Sequence, residues 1–106
     1  MERVRTEPRG AGRTRQTLRV QGYVRHLITG AGVGSAKVTL ADASDRPMAS
    51  TETFANQGRA GFYEITVEEW IAGVYTIEVV KPGINRVSRR FEVADGGEYD
   101  ISFSVV

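Results

Sequence analysis

The chain contains no cysteine, and this absence removes several kinds of chemistry at once. Without thiols it forms no disulfide bond, no thiolate metal site and no cysteine nucleophile. Its single histidine, His26, is too few for a histidine-rich metal site. No apolar run approaches the roughly 18–20 residues that span a bilayer, so we expect no membrane span.

The chain of 106 residues also lacks the apolar stretch of roughly 7–15 residues that marks a secretory signal after a basic start. If Met1 is the natural start, this absence favours a cytoplasmic protein. If the chain is a module cut from a longer protein, an extracellular or cell-surface location is expected instead.

Charge is distributed unevenly along the chain, whose formal net charge is +1. Residues 1–16 hold five arginines against two glutamates, a net of +3, and few apolar residues. This composition predicts a disordered basic tail or linker. Residues 17–106 hold nine basic and eleven acidic residues, a net of −2, so we expect no nucleic-acid binding by this body.

Apolar and polar residues alternate through much of residues 17–106. From Tyr63 to Val67 and from Tyr75 to Val79, every second side chain is Tyr, Ile or Val, which is typical of half-buried strands. With no helical periodicity, the pattern predicts an all-β domain over 17–106, a seven-stranded antiparallel Greek-key β-sandwich of immunoglobulin-like architecture. The predicted strands are residues 18–25, 36–40, 48–54, 61–67, 73–79, 86–93 and 99–105. The predicted core runs from Val20 and Val38 through Ile65, Ile77, Phe91 and Ile101.

Short motifs within these strands follow the order found in one family of sandwiches. They are Val20-x-Gly22-x-Val24, Gly34-Ser35-Ala36-x-Val38-x-Leu40, Ala49-Ser50-Thr51-Glu52-Thr53 with Asn56-x-Gly58, Gly61-Phe62-Tyr63-x-Ile65, and Gly73-Val74-Tyr75-Thr76-Ile77 with Lys81-Pro82-Gly83. By these motifs, residues 17–106 resemble carboxypeptidase regulatory-like domains, the transthyretin-like or prealbumin-like β-sandwiches. The resemblance implies a non-catalytic accessory, spacer or interaction domain.

The same fold also carries 5-hydroxyisourate hydrolases, whose active site relies on several histidines, an arginine and a Tyr-Arg-Gly-Ser ending. This chain has one histidine and ends in Phe103-Ser104-Val105-Val106. No residue of that active site is therefore carried over, and we predict that the protein is not an enzyme.

Two groups of carboxylates offer oxygen ligands of the kind that calcium prefers. Asp42 lies near Asp45, and Asp95 lies near Glu98 and Asp100. Both groups fall in or beside predicted turns, where aspartate is favoured because it bonds the backbone. We therefore predict no metal site and no cofactor.

Four residues are candidates for contact with a ligand or partner: Trp70, Ile71, Phe62 and Tyr23. An aromatic residue at the end of a sandwich can stack on a sugar ring or anchor a protein partner. Tyr23 and Phe62 occupy outward positions of their strands, which predicts some apolar surface. The competing interpretation of Trp70 is that it covers the core between two strands.

The leading hypothesis is a non-catalytic β-sandwich that mediates protein–protein interaction or assembly, as a module of a larger bacterial surface or secretion-related protein. The alternative is a carbohydrate-binding module that uses Trp70, and a transthyretin-like hydrolase is a third interpretation. A homo-oligomer through an edge strand such as 48–54 also remains open.

Overall fold

The computed structural model describes residues 17–56, 58–94 and 97–106. The basic tail predicted for residues 1–16 lies outside these residues. Within the described part of the chain the structure is all-β, with no helix, and its strands form two sheets of four. The predicted two-layer β-sandwich architecture is thus supported.

Eight strands make up the two sheets. They are β1 (Leu18–His26), β2 (Lys37–Ala41), β3 (Pro47–Glu52), β4 (Phe62–Val67), β5 (Gly73–Val80), β6 (Val87–Val93), β7 (Gly97–Asp100) and β8 (Phe103–Val105). In the first sheet β1 lies between β4 on one side and β7 and β8 on the other. In the second sheet the order is β3-β2-β5-β6, so β3 is an edge strand, as predicted.

Two details of the predicted topology are wrong. The last predicted strand, 99–105, is divided into β7 and β8, and both run parallel to β1. The pairs β1–β4, β2–β3, β2–β5 and β5–β6 are antiparallel, as expected. Alternation of apolar residues is the same for parallel and antiparallel strands, so it cannot predict the direction of a partner.

Two backbones approach each other closely at the break between β7 and β8. A Cβ on Gly22 would overlap the carbonyl oxygen of Ile101, so only glycine fits at this point of β1. The Ile101 amide donates to the Gln21 carbonyl at 2.8 Å, and the Tyr23 amide donates to Ser102 Oγ at 3.0 Å. A side-chain hydroxyl thus replaces a backbone acceptor where the ladder is interrupted.

The buried hydroxyl of Tyr63 completes this arrangement. It donates to the Ile101 carbonyl at 2.5 Å, reaching from β4 beneath β1 to the break in the last strand. Burial raises the pKa of the Tyr63 phenol above its ordinary value, because the charged form would lose its hydration. Tyr63 therefore stays a neutral donor across the physiological range.

The core lies between the two sheets and is built from the alternating residues. Five of the six predicted core positions are buried: Val20, Val38, Ile65, Ile77 and Ile101. Phe91 is the exception, because β6 is an edge strand and its ring lies only partly covered against Tyr75 and Tyr99, with centroids 6.2 and 5.6 Å away.

One polar side chain, Thr53, is buried at the end of β3. Its hydroxyl donates to the Val33 carbonyl at 2.6 Å and accepts from the Ala36 amide at 2.9 Å. Both bonds fasten the loop between β1 and β2 to the segment that follows β3. Because buried polar groups are costly unless they are bonded, these two bonds account for a threonine inside the sandwich.

We expect Ile77→Ala to lower the free energy of unfolding by about 2–5 kcal/mol, because it leaves a cavity in a close-packed core. Ile77 is 0% exposed, whereas Ile71 is 79% exposed and provides a matched control. Ile71→Ala should change the free energy by no more than about 0.5 kcal/mol. Urea unfolding measures both variants, and equal losses would contradict the assigned core.

Tyr63→Phe should lower stability at neutral pH by about 1–3 kcal/mol, because the buried Ile101 carbonyl loses its donor. The folded-state pKa of Tyr63 is raised above the ordinary value of 10.0, so the unfolded chain loses this proton first. The stabilisation is complete below the unfolded pKa and is lost as the pH rises toward the folded one. Urea unfolding between pH 7 and 11 should show the difference between wild type and variant shrinking above about pH 10. A difference that is constant with pH would contradict this assignment.

Candidate functional site

The outer face of the first sheet has two halves of different character. The half around Arg19 and Gln21 of β1 is called the lower half, and the half around Tyr23 and Arg25 is called the upper half. The lower half is charge-paired around Arg19, whose Nη1 lies 2.9 Å from Glu98 Oε2 and whose Nε lies 3.0 Å from Glu64 Oε2. Gln21 Nε2 also donates to Asp100 Oδ1 at 3.1 Å. Neighbouring strands thus pair charged and polar side chains across this half, although Arg19 Nε forms an ion pair with Glu64 without a well-aligned hydrogen bond.

The upper half of the same face carries aromatic rings. Tyr23 of β1 lies directly opposite Phe62 of β4, and their ring centroids are 5.3 Å apart. Phe54 adds a third ring, 5.7 Å from Phe62 and 38% exposed. Both edge-to-face contacts have a geometry that aromatic pairs favour. The structure therefore brings together two of the four predicted contact residues and adds Phe54, which the sequence analysis missed.

Two arginines lie over these rings. The Arg25 guanidinium carbon is 4.3 Å from the Tyr23 ring centroid. The Arg59 guanidinium carbon is 4.8 Å from the Phe54 centroid and 4.6 Å from the Phe62 centroid. Within the described residues, neither arginine forms an ion pair with a carboxylate. We call this surface the arginine–aromatic patch, formed by Tyr23, Arg25, Phe54, Arg59 and Phe62.

The connection between β3 and β4 places Phe54 and Arg59 on the first sheet. The Phe54 amide donates to the Phe62 carbonyl at 2.8 Å, and the Gly61 amide donates to the Phe54 carbonyl at 2.9 Å. Gly61 has a φ of +90°, and a Cβ there would strike the Val24 carbonyl oxygen. Glycine is therefore required for the close return of the chain that holds Arg59 above the rings.

Three exposed aliphatic residues follow the ends of β1 and β8, and we call them the aliphatic tip. It consists of Leu27, Ile28 and Val106, which are 63%, 88% and 54% exposed. The Leu27 amide donates to the Val105 carbonyl at 2.8 Å, so the pairing of β1 with β8 continues past His26. Leu27 lies two positions after Arg25, in the turn that directly follows β1.

The other two predicted contact residues lie at the opposite end of β4. Trp70 is partly buried and packs against the core, which agrees with the interpretation that it covers the core. Ile71 is exposed, and its carbonyl accepts from the Tyr75 hydroxyl at 2.5 Å. The four predicted residues therefore belong to two separate regions, of which only the region with Tyr23 and Phe62 gathers several rings.

One candidate carboxylate of the β2–β3 turn, Asp42, has a structural role. Asp42 Oδ1 accepts from the Arg46 amide at 3.0 Å and from the Ser44 amide at 2.9 Å. The bond from Arg46, followed by that from Ser44, lowers the pKa of the Asp42 carboxyl. Asp95, a member of the second candidate group, lies outside the described residues.

Metal-ligating clusters and membrane-spanning helices are both absent from the residues that the structure describes. Across 17–56, 58–94 and 97–106, no group of three or more histidine, aspartate or glutamate side chains is placed to hold a metal ion. In the same part of the chain, no helix has the length and apolar character needed to cross a membrane.

Two comparisons of the chain with known proteins gave no match. No protein-family model matches the chain, and a search of curated proteins gives no match.

The contact between Arg59 and Phe62 should be measurable as a coupling energy. We expect a double-mutant cycle of Arg59→Gln and Phe62→Leu to give about 0.5–1 kcal/mol, the usual value for an exposed cation–π contact. The control cycle pairs Phe62→Leu with Arg90→Gln on the other sheet and should be additive within about 0.3–0.5 kcal/mol. Urea unfolding supplies both cycles, and equal coupling in the two would show that Arg59 does not stack on the ring.

Proposed function

We propose that the protein is a non-catalytic β-sandwich domain that mediates protein–protein interaction or assembly, and that the arginine–aromatic patch is its contact surface. The observation that carries this proposal is the cluster of three rings and two guanidinium groups on one outer sheet face. Tyrosine, phenylalanine and arginine are enriched at protein interfaces. Tyrosine and arginine are also frequent among the residues that dominate binding energy.

Three of the five residues of the arginine–aromatic patch, Tyr23, Arg25 and Phe62, lie on paired strands, and this position supports the same proposal. Tyr23 and Phe62 belong to β1 and β4, which are hydrogen-bonded over six residue pairs. Side chains on such a framework lose little conformational freedom when a partner binds, which lowers the entropic cost of association. An aromatic cluster on a loose loop would not have this advantage.

We also propose that the domain belongs to the carboxypeptidase regulatory-like, or prealbumin-like, sandwiches, with the Greek-key arrangement that this implies. The order of the motifs from Val20 to Gly83 supports the assignment, and so does the two-sheet all-β architecture. A role as an accessory module of a larger surface or secretion-related protein is part of the same proposal.

Edge-strand pairing between two copies has less support than contact through the arginine–aromatic patch. The edge strand β3 begins at Pro47, which has no amide proton to donate. Directly after β3, the Phe54 amide donates to the Phe62 carbonyl of the first sheet and is therefore not open to another chain. Strand addition is therefore obstructed at both ends of β3.

The carbohydrate-binding alternative depends on Trp70. The packing of Trp70 against the core gives this alternative less support than its residue type does. Sugar stacking needs an open ring face. Trp70 is partly buried against the core, so part of its surface is already covered by the protein. We therefore retain protein interaction as the proposed function.

A comparison of partner capture tests the proposal. Immobilised wild-type domain should retain specific proteins from a lysate of the source organism, and Phe54→Ser should lose them, because it replaces a ring of the arginine–aromatic patch by a polar side chain. Ile71→Ser is the matched control, since it changes an exposed apolar residue at the other end of the domain. Thermal melting confirms that each variant is folded.

Retention of the same proteins by Phe54→Ser would overturn the assigned surface. Their loss with Ile71→Ser alone would move the contact to the opposite end of β4. If the folded wild type retained nothing beyond what a denatured sample retains, the interaction role itself would be wrong.

A further inference from the structure

We propose that the arginine–aromatic patch recognises a short acidic segment of a protein partner, with carboxylates paired to Arg25 and Arg59. This inference rests on the proposed function and adds the chemistry of the partner. The observation behind it is that two guanidinium groups lie over aromatic rings on an exposed face, while no described carboxylate pairs with either.

Stacking on a ring prepares a guanidinium group for binding. The ring contacts the flat side of the group, while its N–H donors lie in the plane and remain open to an acceptor. Arg25 and Arg59 are each held at 4.3–4.8 Å from ring centroids, so their conformational freedom is already reduced. A carboxylate matches the forked donors of guanidinium and accepts two hydrogen bonds at once.

The remainder of the sheet face limits how far an acidic ligand can extend. Glu64 lies two positions along β4 from Phe62, and Glu98 and Asp100 occupy the neighbouring strand β7. A long polyanion that extended from the arginine–aromatic patch along β1 would meet these carboxylates. A short acidic cluster avoids them, so the charge pattern of the face favours a local group of Asp or Glu residues.

The net charge of residues 17–106 does not favour nucleic-acid binding. Residues 17–106 hold nine basic and eleven acidic residues. Nucleic-acid affinity depends on many phosphate contacts from a broad positive surface, whereas this surface provides two arginines. The aliphatic tip, whose Leu27 lies two positions after Arg25 and is 63% exposed, adds a contact for an apolar residue next to the acidic ones.

Defined peptides test this inference directly. The probe is a synthetic twelve-residue peptide with four consecutive glutamates followed by two leucines, and its counterparts carry glutamine or lysine at the four positions. NMR titration of the isotope-labelled full chain should show saturable shifts for the amides of Tyr23, Arg25, Arg59 and Phe62 with the glutamate peptide. The glutamine and lysine peptides should give none. Raising the salt from 0.05 to 0.5 M should weaken the binding, because exposed charges are screened.

Arginine variants identify the groups that bind the carboxylates. The double variant Arg25→Gln with Arg59→Gln should bind the glutamate peptide with an affinity lower by about tenfold or more, because two charge-assisted contacts are lost. Arg46→Gln with Arg90→Gln is the control, since it makes the same change in net charge at two exposed arginines associated with the other sheet. Arg25→Lys with Arg59→Lys should restore only part of the affinity, because lysine keeps the charge and loses the planar fork.

Three outcomes would overturn the inference. These are an absence of saturable shifts at millimolar glutamate peptide, equal weakening by the control pair, and tighter binding of a single-stranded oligothymidylate than of the peptide. The last would identify nucleic acid as the ligand. If partner capture still depends on Phe54 while the glutamate peptide fails to bind, the interaction surface stands and only the acidic chemistry of the partner is wrong.

Discussion

The contact between the Ile101 carbonyl and the backbone at Gly22 is the constraint around which the first sheet is arranged. Because Gly22 has no side chain, the last strand can approach β1 closely enough for Ile101 to bond with Gln21. The Tyr63 hydroxyl then satisfies the Ile101 carbonyl from within the core. Tyr23 follows Gly22 in β1, and Ser102 Oγ accepts its amide. The interior contact and the outer aromatic surface therefore lie next to each other along β1.

Much of the fold could be predicted from the sequence, because the alternation of apolar and polar residues along a strand indicates which side chains are buried. Residues such as Val38 and Ile77 were placed inside on this basis, and both are fully buried. The edge position of β3 also followed from its composition. The parallel direction of β7 and β8 and the break between them could not be predicted. Both involve the approach of Ile101 to Gly22, and these two residues are 79 positions apart in the sequence. Phe91 was assigned to the core because its spacing does not reveal that β6 lies at an edge.

The candidate site could be predicted only in part, for a related reason. Tyr23 and Phe62 were recognised as outward apolar residues, yet their pairing across β1 and β4 depends on register. Phe54 and Arg59 reach the same surface through backbone bonds between the segment after β3 and the start of β4. The residue type of Trp70 indicates a contact with a ligand or partner, but its side chain packs against the core.

The parallel pairing of the last strand with β1 has a mechanical consequence. Leu18 lies beside Gly97 and His26 beside Val105, so the first and last strands enter and leave the sheet at opposite ends. Tension applied between Leu18 and Val105 would slide β1 along β7 and β8. The bonds between these strands lie across the direction of pull and would share the load together, instead of opening one after another as in a peeled hairpin. This geometry favours resistance to stretching along the chain.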